Sequence, residues 1–319
     1  MFKTLLRPLL HTFNFKKMTK LAEHGDIDAQ NRVAQLYHFG SFVAQDYEKA
    51  FGWYIKAANQ GSSEAQSALG ELYEYGHGVK QDDATALYWY EKAAEKGNLY
   101  AQNSVGWMYE KGKGTNQDYV KAVGWYRKAA QEGEVDAQFN LGMMYNLGHG
   151  VLKNHHEAFR WFNEAAQKNY PPAQASLGAL YFEGFGISKN EKWALSLYEK
   201  AASNGFAPAQ TYLGILCEEK REIEEAILWY RKAAQQGESS ALMNLGLMYG
   251  LGQNVFKNEL IAYALLEMAV MSGNETALDI RDTIAKSLAP SKMDEAKALA
   301  QDPEKLWALI DSRQNLKLK

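Results

Sequence analysis

The sequence predicts an all-α solenoid built from tandem helix–turn–helix repeats, and three regularities indicate it. The segment AQSALGELYEYGHGVKQDDATALYWYEKAAEKG at residues 65–97 returns in varied form along most of the chain. Its apolar residues are spaced by three or four, as in amphipathic helices. A fixed period between about 20 and 50 residues is typical of arrays in which each unit packs on its neighbours. The opening alanine recurs every 36 residues, at Ala65, Ala101, Ala137, Ala173 and Ala209.

Size and composition exclude several classes of protein. A chain of 319 residues is long enough for two globular domains, but a repeat array grows without one central core. The net charge of −3 favours neither nucleic-acid binding nor an acidic tail. Cys217 is the single cysteine, so no internal disulfide is expected and a reducing compartment fits. No run approaches the roughly 20 apolar residues that a membrane span needs.

The N-terminal residues 1–13, MFKTLLRPLLHTF, are basic and apolar. Arg7 and Pro8 interrupt the apolar run and no small-residue cleavage site follows, which disfavours a secretory signal. We expect a capping helix or a basic tail, with a weak surface-seeking helix as the alternative. Residues 14–25 match the second half of a repeat, so we assign residues 1–28 to a basic segment with a capping half-repeat.

The first helix of each repeat follows the pattern AQxxLGxxY. Ala65, Leu69 and Tyr73 are spaced by four residues, which predicts that this face is buried. A glycine follows the leucine inside the helix, where it costs about 1 kcal/mol relative to alanine. Because this cost recurs, we predict that a facing helix approaches too closely for a Cβ atom. The glycines are Gly70, Gly106, Gly142, Gly178, Gly214 and Gly246.

A glycine-rich loop follows, as in GHGV at residues 76–79, and its glycines allow the positive φ of a tight reversal. An Asp or Asn then precedes the second helix, and both are preferred N-cap residues. Asn replaces Asp in half of the repeats, which suits a cap but not an acid–base or metal-binding role. The predicted caps are Asp46, Asp82, Asp118, Asn154, Asn190 and Asn258.

The second helix carries alanines beside large aromatic residues, as in Ala50, Trp53, Tyr54 and Ala57. Large rings fill gaps against small residues, so we predict that they form the core. A ligand cage is the alternative, but one aromatic pair in most repeats at helical spacing favours core. Glycine ends most of these helices, and Asn169, which tolerates the left-handed conformation, ends one.

Two regions depart from the pattern. The sixth repeat is four residues shorter and reads CEEKREIEE in place of the loop, which predicts a tighter turn or helices of different length. After the last repeat, Ser291 with Asp294 predicts a capping box and a helix over residues 293–301. Asp302 followed by Pro303 predicts the cap and first residue of a final helix.

The consensus AQxxLGxxYxxGxGVxxDxxxAxxWYxKAAxxG resembles the Sel-1-like repeat family, a relative of the tetratricopeptide repeat. The resemblance covers residues 29–273 as seven tandem units, and we assign residues 274–319 to C-terminal capping helices. It implies a right-handed superhelix of antiparallel helix pairs. It also implies a scaffold or adaptor for protein complexes, often in bacterial signalling, envelope or host-interaction contexts. The family has no shared catalytic residues, and its disulfide-stapled secreted members differ from this chain.

In tetratricopeptide-like superhelices the first helices line the concave surface, which locates a candidate binding face. The part of this face that is not used for core is apolar along its middle and acidic at its edges, as partner-binding grooves are. We predict a partner peptide or helix with apolar anchors and some basic residues. The alternative is that superhelical curvature buries part of the strip between adjacent first helices. The apolar candidates are Trp107, Phe139, Met143, Phe182, Ile215, Met243 and Leu247, with Glu71, Glu74 and Glu110 at the rim.

Residues that often carry chemistry are poorly placed for it. His77 and His149 occupy equivalent loops 72 residues apart, and the adjacent His155 and His156 have poor geometry for a shared metal. The loops lack the GK[ST] sequence of a phosphate cradle. Cys217 has no paired histidine that would favour a nucleophile. We therefore predict no catalytic residue, no cofactor and no metal.

The sequence favours a non-catalytic adaptor that binds another protein, with no nucleic acid as partner, in a bacterial signalling or regulatory role. We expect a cytoplasmic location. The first alternative is an envelope-facing, periplasmic or secreted protein of the immunity or virulence type. The second is a hydrolase acting on cell-wall or β-lactam substrates, which needs a serine or a carboxylate pair in a pocket that no motif supplies.

Overall fold

The computed structural model describes residues 15–253 and 255–314, and in these residues every regular element is a helix. The described part of α1 covers residues 15–23. The first helices of the repeats are α2 (Ile27–Phe39), α4 (Ser63–Tyr75), α6 (Leu99–Lys111), α8 (Val135–Leu147), α10 (Pro171–Glu183), α12 (Ala207–Glu219) and α14 (Ser239–Leu251). The second helices are α3 (Tyr47–Asn59), α5 (Asp83–Glu95), α7 (Tyr119–Gln131), α9 (His155–Gln167), α11 (Glu191–Ser203), α13 (Ile223–Ala234) and α15 (Glu259–Met271). The C-terminal helices are α16 (Thr276–Ser287), α17 (Pro290–Gln301) and α18 (Pro303–Gln314).

The chain divides into two compact units, one ending at Lys168 and the other beginning at Asn169. In the first unit each first helix packs on the second helix of its own repeat, which then packs on the next first helix, from α2 to α9. The second unit repeats this arrangement from α10 to α15, and α16, α17 and α18 pack against α15. The predicted all-α solenoid of helix pairs is therefore confirmed.

The helix-interior glycines allow two helices to approach closely, as predicted. A Cβ atom built on Gly70 would lie 2.6 Å from the Tyr90 ring, and one on Gly106 would lie 2.7 Å from the Tyr126 ring. These distances are far shorter than the 3.5–4.0 Å of optimal carbon contacts. The facing group is thus the buried aromatic ring of the second helix. Phe162 and Tyr230 meet Gly142 and Gly214 in the same way.

The aromatic pair of the second helix is buried unequally. Tyr54, Tyr90 and Tyr126 are buried in the core, as predicted. The tryptophans beside them are mostly only partly buried. The ammonium groups of Lys56 and Lys128 lie 4.1 Å and 4.0 Å from the ring centroids of Trp53 and Trp125, so lysine side chains contact the outer faces of these rings.

Side-chain caps start the second helices at the predicted positions. The Oδ1 atoms of Asp46 and Asp82 accept backbone N–H groups of Lys49 and Thr85 at 2.9 Å and 3.0 Å. The other four predicted residues also lie at N-caps and accept backbone N–H groups. These residues are structural, as their interchange of Asp and Asn indicates.

Successive repeats are also linked through a buried glutamine. Gln66 Nε2 donates to the Ala58 carbonyl in the last turn of the preceding second helix, at 3.1 Å, and Gln102 donates to Ala94 at 3.1 Å. The Ala58 carbonyl also accepts the Gly61 N–H at 2.9 Å, so the glutamine adds a second hydrogen bond at the end of the helix. The AQ motif therefore contributes a core alanine and a link to the previous repeat.

The structure shows the turn of the sixth repeat and the starts of the last two helices. Arg221, with φ of 65°, lies in the short turn between α12 and α13, which confirms the tighter turn. The capping box at Ser291 is wrong, because α17 begins at Pro290, whose fixed φ suits the first helical position. The final helix begins at Pro303, where Asp302 accepts the Lys305 N–H at 3.2 Å.

At the N-terminus, the expectations for residues 1–14 fall outside the described residues. The helical residues 15–23 contain Ala22, which packs with Ala29 and Val33. None of the helices in the described ranges is long and apolar enough to cross a membrane.

We predict opposite effects for alanine at two helix-interior glycines. Gly106→Ala forces a methyl group against the Tyr126 ring, and such overpacking costs about 1–3 kcal/mol. Even after the helix-propensity gain of up to about 1 kcal/mol, we expect lower stability. Gly124→Ala in α7 is the control, since nothing lies within 4 Å of its Cβ position, and it should stabilise the protein by about 0.5–1 kcal/mol. Urea unfolding measures both; a stabilising Gly106→Ala would contradict the packing argument.

Candidate interaction surface

In the first unit, the candidate apolar residues are partly covered and partly exposed. Trp107 on α6 packs against the core at one side, and the ammonium of Lys113 lies 4.8 Å from its ring centroid. Phe139 on α8 lies 5.7 Å, centroid to centroid, from Phe162 of the same repeat. Met143 on α8 is also partly buried. Rings of the second helices and a lysine side chain cover part of these residues. Each of the three side chains remains partly exposed to solvent.

In the second unit, the candidate apolar residues also range from partly buried to exposed. Phe182 makes an edge-to-face contact with Tyr212, at 6.0 Å between centroids. Ile215 on α12 is 39% exposed and Leu251 on α14 is 65% exposed. Met243 and Leu247 on α14 are partly buried. An apolar surface therefore remains open on α12 and α14.

A groove of about 300 Å³ adjoins this surface between α14 and α16. Leu247 and Leu251 line one side, and Ile280 and Ile284 line the other. Asp279 and Thr283 provide polar groups in the same groove. Its composition suits an apolar side chain of a partner more than a charged one.

The predicted acidic rim includes a residue that does not face solvent. Glu74 is only 7% exposed, and its Oε2 accepts the Tyr90 hydroxyl at 2.9 Å. The assignment of Glu74 to a solvent-facing rim is therefore wrong. Its carboxylate instead provides the hydrogen bond that the buried phenol requires.

The same pairing recurs at the equivalent position of other repeats. Glu110 accepts the Tyr126 hydroxyl at 2.8 Å, and in the sixth repeat Glu218 accepts the Tyr230 hydroxyl at 2.9 Å. Phe162 replaces the tyrosine in the fourth repeat, and there Asn146 replaces the glutamate. This paired change is a partial sequence signal for a structural role of the glutamate, since Tyr54 and Tyr198 occur with His38 and Phe182 at its position.

Burial shapes the titration of these groups. It raises the pKa of the Glu74 carboxyl, while the hydrogen bond from Tyr90 opposes that shift. Burial is also the main cause of the raised pKa of the Tyr90 and Tyr126 hydroxyls, so both stay protonated. Tyr109 on α6 donates to Glu91 at 2.9 Å, and burial followed by this bond raises its pKa to about 12.

The loop histidines connect successive repeats. The His77 ring stacks on Tyr47 with centroids 4.5 Å apart, and His149 lies 4.6 Å from Tyr119. In both pairs the tyrosine is the first residue of the preceding second helix. The sequence predicted only loop positions for these histidines, although the Tyr–His spacing is the same in both pairs.

Two kinds of residue that often carry chemistry, metal ligands and the cysteine, can be compared with the structure. No group of three or more His, Cys, Asp or Glu side chains there could hold a metal ion. Burial raises the pKa of the Cys217 thiol, which is opposite to the shift that activates a nucleophilic cysteine.

Comparisons with known proteins give the following likenesses. A Sel1 repeat model matches residues 27–62, 63–98, 99–134, 135–170, 171–206, 207–238 and 239–274. A crystal structure of a Sel1 repeat protein from Oxalobacter formigenes is 32% identical, with a TM-score of 0.68, over 87% of this chain and 81% of that protein. A protective antigen of uropathogenic Escherichia coli is 26% identical, with a TM-score of 0.49, over 93% and 81%. No curated protein sequence matches.

We predict that Glu74→Gln changes how stability depends on pH. Because the folded pKa of Glu74 is raised above its unfolded value, folding favours the protonated carboxyl. The resulting stability is fully present below the unfolded pKa and is lost as the pH rises through the folded pKa. The variant lacks this loss, so the difference in free energy of unfolding should shift in favour of the variant as the pH rises above the unfolded pKa of glutamate, about 4.3. Urea unfolding at several pH values measures this difference.

The exposed Glu95 on α5 provides the matched control. Glu95→Gln should keep a constant offset from the wild type across the same range. A constant offset for Glu74→Gln as well would contradict the assigned effect of burial.

Proposed function

We propose, because this chain belongs to the Sel1 repeat family, that it is a non-catalytic scaffold that binds a partner protein on its first helices. Sel1 repeat proteins are typically non-catalytic scaffolds for protein interactions. The partner would supply apolar anchors that cover the exposed side chains, as a peptide or a helix does in a groove. A regulatory or signalling role in a bacterial cell is part of the proposal.

One observation carries the proposal: apolar side chains stay exposed at related positions of consecutive first helices. Ile215 is 39% exposed on α12 and Leu251 is 65% exposed on α14. The first helices pack into the core through a different face. Packing within the repeats therefore does not require apolar residues at the positions of Ile215 and Leu251. Exposed apolar patches bordered by polar groups are typical of protein interaction sites.

The location is proposed separately. A cytoplasmic protein needs no disulfide, and the single cysteine of this chain is consistent with that setting. Fractionation of cells with N-terminal sequencing of the mature chain tests the cytoplasmic location and distinguishes it from the periplasmic or secreted alternative.

Binding to an identified partner tests the function. We propose affinity capture with the full chain, mass spectrometry, and direct titration of the protein that is captured. Truncation of a central anchor typically costs 2 kcal/mol or more, so Trp107→Ala with Met143→Ala should weaken the affinity roughly thirtyfold. In the second unit, Ile215→Glu should have a comparable effect, because it introduces a charge into an apolar contact.

The controls are exposed apolar residues on second helices. Tyr88 on α5 is 51% exposed and Leu228 on α13 is 59% exposed. Tyr88→Ala and Leu228→Glu should leave the affinity within about twofold, and circular dichroism should show that all variants are folded. An affinity that none of the first-helix changes alters would overturn the proposed surface.

A further inference from the structure

The acidic residues near Trp107 differ in whether their charge is satisfied. Glu74 accepts a hydrogen bond from Tyr90, and Glu110 contacts both Tyr126 and, at 2.5 Å, the ammonium of Lys111. Glu71 on α4 is partly buried and takes part in no ion pair or hydrogen bond within residues 15–253 and 255–314. Removing a carboxylate from water without a partner is costly. Of these three glutamates, Glu71 is therefore the one that lacks a partner among the described residues.

Accessible aromatic side chains lie beside the face of α4 that carries Glu71. Tyr75 follows Glu71 by four residues, so both lie on one face of the helix, and Tyr75 is 58% exposed. Tyr100 at the start of α6 is 51% exposed, and its ring centroid lies 6.3 Å from that of Tyr90, whose hydroxyl donates to Glu74 on α4. Burial first, and the charge of Glu71 second, raise the pKa of the Tyr100 hydroxyl.

A buried imidazole also lacks a hydrogen-bond partner on one ring nitrogen. His38 is 6% exposed, and its Nδ1 atom has no hydrogen-bond partner among the described residues. Burial lowers the pKa of His38, and the charge of Glu71 opposes this shift. The imidazole is neutral at neutral pH and does not neutralise the carboxylate.

Lys113 does not provide the missing cation. The Lys113 ammonium lies over the Trp107 ring and forms no ion pair with Glu71 or Glu74 within the described residues. An unpaired carboxylate beside accessible aromatic rings is complementary to a basic side chain. Such a group gains a charge-assisted hydrogen bond and cation–π contacts at the same time.

We propose that Glu71, Tyr75 and Tyr100 form a pocket for an arginine or lysine side chain of the partner protein. This inference rests on the proposed function and adds a specific chemical requirement to it. Glu71 occupies the position of the repeat that Trp107 and Met143 occupy in the next two first helices. The basic side chain would therefore bind next to the apolar anchors, in the same partner segment.

A phage-displayed library of random peptides, selected on the immobilised full chain, tests the pocket without a known partner. The selected peptides should contain an arginine or lysine near apolar residues. Since a hydrogen bond to a charged group contributes about 1.5–3 kcal/mol, Glu71→Gln should weaken a synthetic copy of the best peptide roughly ten- to hundredfold. Glu95→Gln, at an exposed carboxylate on α5, should leave its dissociation constant unchanged.

A second change in the peptide shows whether the two groups interact directly. Replacing its basic residue with an uncharged analogue should weaken binding to the wild type by the same factor and have little further effect on Glu71→Gln. The proposed pocket is wrong if the selected peptides lack a basic residue or if Glu71→Gln leaves the dissociation constant unchanged. It is also wrong if Glu71→Gln and the replacement of the peptide's basic residue have independent effects on affinity.

The peptide experiments distinguish an error in the proposed pocket from an error in the proposed surface. If the selected peptides bind without a basic residue but lose affinity with Trp107→Ala and Met143→Ala, the surface stands and the pocket is wrong. If those two substitutions have no effect on any selected peptide, the proposed surface on the first unit is wrong.

Discussion

The contact between a second-helix ring and a first-helix glycine is the constraint on which each repeat depends. Without a Cβ atom at Gly70 or Gly106, the facing tyrosine packs against bare helix backbone. Any other residue would separate the two helices and expose the alanines beside the ring. The glycine lowers local helix propensity, but the burial of a whole aromatic side chain, worth about 1.5–3 kcal/mol, exceeds that loss.

This close packing explains why the tyrosine needs a specific polar partner. The ring that packs on Gly70 carries its hydroxyl to Glu74, one turn further along the same side of α4, where water is largely excluded. Glu74 meets the Tyr90 hydroxyl there, and Asn146 appears in the repeat whose ring is Phe162. The glutamate is therefore fixed by the core, even though it lies on the face that carries the candidate binding residues.

The sequence predicts most of the fold because its signals are local and repeated. N-caps, left-handed glycines and the small residue opposite a ring each depend on a few neighbouring positions, and seven copies reinforce them. The candidate surface is harder to predict, because helical periodicity identifies a face but not what covers it. Glu74 and Glu71 lie three residues apart on one face, yet only Glu74 meets a hydroxyl. The start of α17 also differs from the prediction. The helix begins at Pro290 and not after a cap formed by Ser291 and Asp294.

The repeats within one chain also show where packing leaves freedom. Positions in the core keep alanine, leucine, glycine or an aromatic residue from repeat to repeat, because each contacts another helix. At the position of Glu71, the next two repeats carry Trp107 and Met143, and in the second unit Ile215 and Leu247 occupy it. Because packing accepts an acid, an indole or an aliphatic side chain at this position, its residue can be chosen by the partner that it contacts. Recognition by the array is therefore expected to depend on the order of these side chains along the first helices of each unit.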